Sequence, residues 1–145
     1  HYMRAITMIY IQGGTKRQRE LAEDMTIFMF RKFNMYPDVE IAFKRLTNET
    51  TLGAVVEDEG EYFIELKRSL SQRNMLVTLA HELTHVKQYE YGELTQTSDV
   101  GVDYWERPSE IEAHAIEDAL FDEWARINEV DNKKWAQYGS ESTTV

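Results

Sequence analysis

The sequence predicts an α+β fold in which a small mixed sheet of three to four strands and one helix precede two long helices. Apolar runs of strand type and one helical pattern fill the first half of the chain, and two helical patterns fill the second half. A chain of 145 residues with 42% hydrophobic residues can form one core and leaves little room for two. We therefore assign residues 1–138 to a single domain and residues 139–145 to a disordered tail.

The first two predicted elements are a strand and a helix. Residues 5–11 form a run rich in β-branched and aromatic types, and Gly13-Gly14 follows as a turn. Thr15 is a suitable N-cap for helix one, because apolar residues recur beyond it at helical spacing up to Phe33. Asn34 ends that pattern.

Three further strands are predicted before the second helix. Residues 39–44 alternate in the manner of a half-buried strand. Residues 52–56 and 62–66 are two apolar runs with Asp58-Glu59-Gly60 between them as a turn. These two runs should therefore pair as a hairpin.

The second half of the chain is predicted to form helices two and three. Ser69 or Ser71 can cap helix two, which should end at Gly92. Residues 95–102 are polar and irregular, and Pro108 suits the first turn of helix three. The predicted apolar stripe of helix three consists of Ala113, Ile116, Leu120, Trp124 and Ile127.

Composition and charge exclude several classes of partner. The chain has 26 acidic and 16 basic residues, which gives a net charge of −10, so we expect no nucleic acid and no membrane as main partner. It contains no cysteine, which excludes disulfides, thiol nucleophiles and cysteine-ligated zinc. With no leader-like start, a cytoplasmic location is the expectation.

The residues that indicate chemistry are His81-Glu82-Leu83-Thr84-His85, inside helix two. Histidines at positions i and i+4 share one helical face, so both imidazoles can reach a single cation, and Zn²⁺ binds neutral imidazole nitrogen. Glu82 projects about 100° from His81, beside such a metal, where it can act as general base. The apolar stripe of Leu76, Leu79, Leu83 and Val86 should lie opposite the histidines.

A catalytic zinc site usually has three protein ligands, so one more is needed. The metzincin pattern H-x-x-G-x-x-H would place a glycine at position 88 and a third histidine ligand at position 91, but these are Gln88 and Tyr91. The candidates for the third ligand therefore lie in residues 108–114.

At this point the chain resembles the gluzincin metallopeptidases, which combine HExxH with a downstream E-x-x-A segment. Glu110-Ile111-Glu112-Ala113-His114 matches that segment. The resemblance covers about residues 39 to 125 and includes minigluzincins and small phage-type proteins. It implies a zincin-like fold, bound Zn²⁺ with His81, His85 and Glu110 as ligands, a polypeptide substrate, and a phage-encoded origin.

The chain departs from the gluzincin pattern at His114, where an acidic or amide residue usually lies beyond the metal ligands. His114 is thus either a residue that orients a ligand histidine or, as in the SprT-like pattern, the third ligand itself. Glu117 and Glu112 are lesser alternatives, and Glu112 can also form a capping box with Ser109.

The resemblance also implies a mechanism for peptide hydrolysis. Zinc would lower the pKa of its water, and Glu82 would take the proton and deliver it to the leaving amine. The oxyanion needs a further donor, for which Tyr104, Arg107 and His114 are the candidates.

In similar enzymes the strand before the active-site helix is a sheet edge that holds the substrate. Here that strand contains Phe63, Ile64 and Glu65. Peptide would add antiparallel to it. An internal strand is the equally weighted alternative.

The leading functional hypothesis is a zinc-dependent peptidase. The alternatives are a metal-holding binding or regulatory module of the same fold, an SprT-like DNA-associated protease, and a structural domain without metal. Because so small a domain has short cleft walls, self-association is a further expectation to test.

Overall fold

The structure is a computed structural model that describes residues 8–48 and 50–128. It confirms the α+β class and a four-stranded mixed sheet with strand order β1-β2-β4-β3. The predicted tail at residues 139–145 and the start of the first predicted strand lie outside the described residues. The elements are β1 (Ile9–Gln12), α1 (Lys16–Phe33), β2 (Asp38–Lys44), β3 (Gly53–Asp58), β4 (Glu61–Lys67), α2 (Gln72–Glu90), a 3₁₀ turn (Tyr104–Glu106) and α3 (Pro108–Ile127).

The sheet combines parallel and antiparallel pairing. β2 pairs in parallel with both β1 and β4, and β3 pairs antiparallel with β4, so β1 and β3 form the two edges. The β3–β4 hairpin is confirmed, and Glu59 and Gly60 make its turn with φ angles of 51° and 84°. A turn with two positive φ values matches the twist of the strands it joins.

Local capping fixes where α1 and α2 begin. The Thr15 side chain accepts a hydrogen bond from the backbone N–H of Gln18, and the Gln18 side-chain oxygen accepts one from the backbone N–H of Thr15, which together form a capping box. Ser71, rather than Ser69, caps α2 by accepting from the N–H of Asn74. Both helices therefore begin at residues that satisfy their exposed N–H groups.

Helix α2 is the centre of the molecule. It packs against α1, β3, β4 and α3, and the predicted stripe that includes Leu79 and Leu83 is fully buried. The opposite side of α2 is also buried, because α3 and β3 cover the histidine face. The site residues therefore lie inside a cleft between layers.

Two sequence predictions for α3 are wrong. Ile127 is 64% exposed, whereas Phe121 and Ala125 are buried and complete the stripe in its place. Ser109 lies within the first turn, so it forms no capping box with Glu112, and Arg107 occupies the N-cap position.

Within the part of the chain that the structure describes, no helix has the length and apolar character needed to cross a bilayer.

Candidate metal centre

The two histidines of α2 meet one carboxylate of α3. His81 Nε2 lies 2.9 Å from Glu110 Oε1, and His85 Nε2 lies 3.1 Å from Glu110 Oε2. The helical i, i+4 spacing brings the imidazoles together, and the packing of α3 on α2 brings Glu110 to them. Three residues predicted from the sequence thus converge at one point.

The remaining ring nitrogens of both histidines are also engaged. His81 Nδ1 donates to Glu117 Oε1 at 2.8 Å, and His85 Nδ1 lies 2.7 Å from Gln88 Oε1. The Gln88 amide in turn donates to the Ser109 carbonyl at 3.0 Å and to Glu112 Oε1 at 2.8 Å. These bonds fix the orientation of each ring and leave its Nε2 directed at Glu110.

His114 lies beside this group. Its Nδ1 is 3.3 Å from Glu117 Oε1, its Nε2 is 3.0 Å from the Tyr104 hydroxyl, and its Nε2 is 4.0 Å from Glu110 Oε1. The Tyr104 hydroxyl also donates to Glu110 Oε1 at 2.9 Å. His114 therefore contacts the carboxylates that surround His81.

The donor set is suited to a divalent cation. Ligand atoms of His81, Glu110 and His114 all lie within 4.8 Å of one another, and His85 contacts the second oxygen of Glu110. Imidazole nitrogens with one carboxylate are the ligand types of a catalytic zinc site. The geometry is thus compatible with a metal ion held between α2 and α3.

Electrostatics in the centre favour charge pairing. Burial opposes protonation of His81, but its hydrogen bonds to Glu110 and Glu117 outweigh burial and raise its pKa to about 10. Burial opposes ionisation of Glu110, yet its bonds to His81 and His85 hold the pKa of Glu110 well below its usual range. His81 therefore holds a proton that would compete with a cation, whereas Glu110 stays ionised and ready to bind one.

Glu82 is buried behind the histidines. Burial raises the pKa of the Glu82 carboxyl, and the charges of His81 and His85 oppose part of that rise. Its position beside His81 places it on the walls of two adjoining cavities. A carboxylate with a raised pKa takes up a proton more readily than an exposed carboxylate does.

A cleft runs past the centre along strand β3. One cavity of about 320 Å³ is bounded by residues 50–53, the first half of α2 and Trp105. A second cavity of about 310 Å³ is bounded by residues 53–55, Leu94 and Asp99. His81, Glu82 and Tyr104 contribute to both, so the centre lies where the two cavities meet.

The predicted substrate strand is not a sheet edge. β4, which contains Phe63, Ile64 and Glu65, is paired with β2 on one side and β3 on the other. Ile64 is buried in the core, and Phe63 and Glu65 lie on the opposite face of the sheet. The strand that borders the cleft is β3.

Arg107 is held in place beside the second cavity. Its Nε donates to the Val102 carbonyl at 3.0 Å, and its guanidinium lies 5.7 Å from the centre of the Tyr104 ring. Of the three candidate oxyanion donors, Tyr104 and His114 contact the centre directly.

Sequence reasoning missed two residues of the site. Gln88 lies three residues after His85, on the same helical face, and that spacing was the available signal. Trp105 is 64% exposed and stacks on His114 with ring centres 5.0 Å apart. No spacing in the sequence marks Trp105, because the loop before α3 positions it.

Comparison with known proteins places this geometry in a family. The family model Peptidase_M78, described as IrrE N-terminal-like domain, matches residues 34–121, more than half of the chain. The matched segment spans β2 to most of α3 and so contains the whole centre. No curated protein and no solved structure matches the chain.

Proposed function

The chain belongs to the IrrE N-terminal-like family, a zincin-like metallopeptidase family, and on that premise we propose that it is a zinc-dependent peptidase. The observation that carries this proposal is the meeting of His81, His85 and Glu110 next to Glu82, in a cleft bordered by a sheet edge. This arrangement supplies ligands, a base and a place for an extended chain.

The proposed metal ligands are His81, His85 and Glu110. Glu110 is supported as the third ligand because its two oxygens contact the Nε2 atoms of both histidines. His114 is the alternative ligand, since its ring also lies within the cluster of donor atoms. Its bonds to Tyr104 and Glu117 support a role in orienting the centre instead.

Zinc bound to these residues would supply Lewis acidity, which acidifies water and polarises a peptide carbonyl. Glu82 takes the proton of the attacking water as general base and passes it to the leaving amine. Burial raises the pKa of Glu82 and thereby suits it to both steps.

Tyr104 is the proposed donor to the oxyanion. Its hydroxyl lies within hydrogen-bond distance of Glu110 and His114, and its side chain borders both cavities. Burial and the neighbouring Glu110 raise the pKa of the Tyr104 hydroxyl, so it keeps the proton that it would donate.

The substrate is proposed to lie along β3. Residues 53–55 border the cleft, and the outer edge of β3 has no partner strand among the described residues. Gly53 allows this strand to approach α2, since a Cβ there would lie 2.8 Å from Thr78 Cγ2. A polypeptide pairing antiparallel with β3 would pass directly over the centre.

The test compares peptide hydrolysis by zinc-loaded wild type and Glu82→Gln. Wild type should cleave, and Glu82→Gln should keep zinc while losing activity by about 10²–10⁴-fold, because only the base is removed. A zinc-loaded wild type that cleaves nothing would favour a metal-holding regulatory module. Equal activity of the two proteins would contradict the role of Glu82.

A further inference from the structure

The two ends of the sheet carry opposite charge. At one end, Asp38 of β2 lies beside Glu61 of β4, which lies beside Asp58 of β3. At the other end, Lys44 of β2 lies beside Lys67 of β4. β2 and β4 therefore each have an acidic and a basic terminus, aligned by the register of the sheet, and β3 adds its acidic terminus to the same end.

Neighbouring segments strengthen this charge separation. Glu57 of β3 and Glu59 of the hairpin turn add to the acidic end. The basic end gains Arg68, whose N–H donates to the Lys44 carbonyl. The Gln18 side chain donates to the Arg68 carbonyl, which places the first turn of α1, with its sequence Lys16-Arg17-Gln18-Arg19, at the same end.

The cleft runs in the direction of this charge separation. β3 passes from residue 53, near the basic end, to Asp58, at the acidic end. The cavity bordered by residues 50–53 lies toward the basic end, because the Leu52 carbonyl accepts from the Lys67 N–H. The second cavity lies toward the acidic end, and Asp99 forms part of its wall.

An antiparallel substrate has only one direction along β3. Its amino-terminal part must lie toward Asp58 and its carboxy-terminal part toward residues 50–53, because paired antiparallel strands run in opposite directions. We infer that the cleft selects polypeptides with basic residues before the scissile bond and acidic residues after it. This inference rests on the peptidase function proposed above.

Charges on the opposite wall do not cancel this preference. Glu117 is bonded to His81, and Asp118 of α3 lies 3.7 Å from Arg73 of α2. Arg107 borders the second cavity, where it faces the opposite charge of Asp99 and donates to the Val102 carbonyl. The charges at the ends of the sheet therefore determine which flanking residues bind well.

The experiment uses three fluorescent peptides with one shared central sequence. One has two lysines before the centre and two glutamates after it, the second has these flanks exchanged, and the third has glutamine in both flanks. Binding is measured with zinc-loaded Glu82→Gln, and cleavage is measured with zinc-loaded wild type. We expect about tenfold tighter binding of the first peptide than of the second at low salt, with the ratio approaching unity at high salt.

Paired variants identify the source of the preference. Asp58→Lys should reduce the ratio, whereas Asp122→Lys, the same charge change at an exposed position of α3, should leave it unchanged. Equal binding of the peptides, the reverse order, or no binding would overturn the inference. Oriented binding without cleavage would leave the inference standing and overturn the peptidase function instead.

Discussion

His81 is held at both ring nitrogens by carboxylates of α3. Glu110 and Glu117 are seven residues apart, which is about two helical turns. Their side chains therefore lie on the same face of α3, and both bind the His81 imidazole. The gluzincin pattern would have placed the orienting carboxylate at position 114, which is a histidine here. Glu117 contacts the free nitrogen of His81 from one turn further along the helix.

We predict that Glu117→Gln weakens zinc binding about 10–100-fold, because an amide orients and polarises His81 less than a carboxylate does. Competition titration with a chromogenic chelator measures the change. Asp118→Asn is the matched control, since Asp118 is exposed and contacts Arg73 instead. Similar zinc affinity in wild type and Glu117→Gln would show that Glu117 has no orienting role.

Residues of the site were predictable where one helix places them. His81, Glu82 and His85 follow from spacing within α2 alone. Tyr104 was only one of three candidate oxyanion donors, because its position depends on how the loop before α3 folds over the centre. The conformation of this loop depends on contacts between segments that are far apart in sequence, and the spacing of apolar residues does not predict such contacts.

At the scale of elements, α2 acts as a rigid support for the site. It is capped by Ser71 and buried on all sides between residues 74 and 86. Its buried stripe holds the helix against the sheet, and its opposite face carries the histidines. Loosening the stripe would therefore also disturb the metal centre.

Leu83→Ala should lower the free energy of unfolding by about 2–5 kcal/mol, because Leu83 is fully buried and the truncation leaves a cavity. Chemical denaturation of the zinc-free protein measures this loss. For Ile127→Ala, at an exposed position, the expected change is within about 0.5 kcal/mol. A similar loss of unfolding free energy in both variants would contradict the conclusion that the buried stripe of α2 holds the core together.

Element types were predictable, but the order of strands was not. The hairpin and the helix starts depend on local turn and cap residues such as Gly60 and Ser71. Strand order depends on β2 pairing in parallel with both β1 and β4, which joins segments far apart in sequence. For that reason the sequence left open whether the strand with Phe63 is an edge or internal, and the structure shows that it is internal and that β3 is the edge.

For the molecule as a whole, protons and metal compete for the same groups. The raised pKa of His81, from 6.5 to about 10, contributes stability that is complete below pH 6.5 and is lost as the pH rises toward 10. The lowered pKa of Glu110 contributes stability above its ordinary value of 4.5 that is lost as the pH falls.

Chelator-treated protein should therefore be most stable between about pH 4.5 and 6.5 and lose stability toward pH 10. Added zinc should stabilise it more as the pH rises, because the ligands must be deprotonated to bind. Thermal unfolding across this range, with and without zinc, checks both trends. Stability of the chelated protein that increases from pH 6.5 to 10 would be the opposite of this expectation.

The most direct test of the account is the zinc content of four purified proteins, measured by elemental analysis: wild type, His85→Ala, Glu110→Ala and His114→Ala. The account predicts one zinc ion per chain in wild type and in His114→Ala, and loss of zinc in the other two. Zinc retained by Glu110→Ala but lost from His114→Ala would contradict it and assign the third ligand to His114.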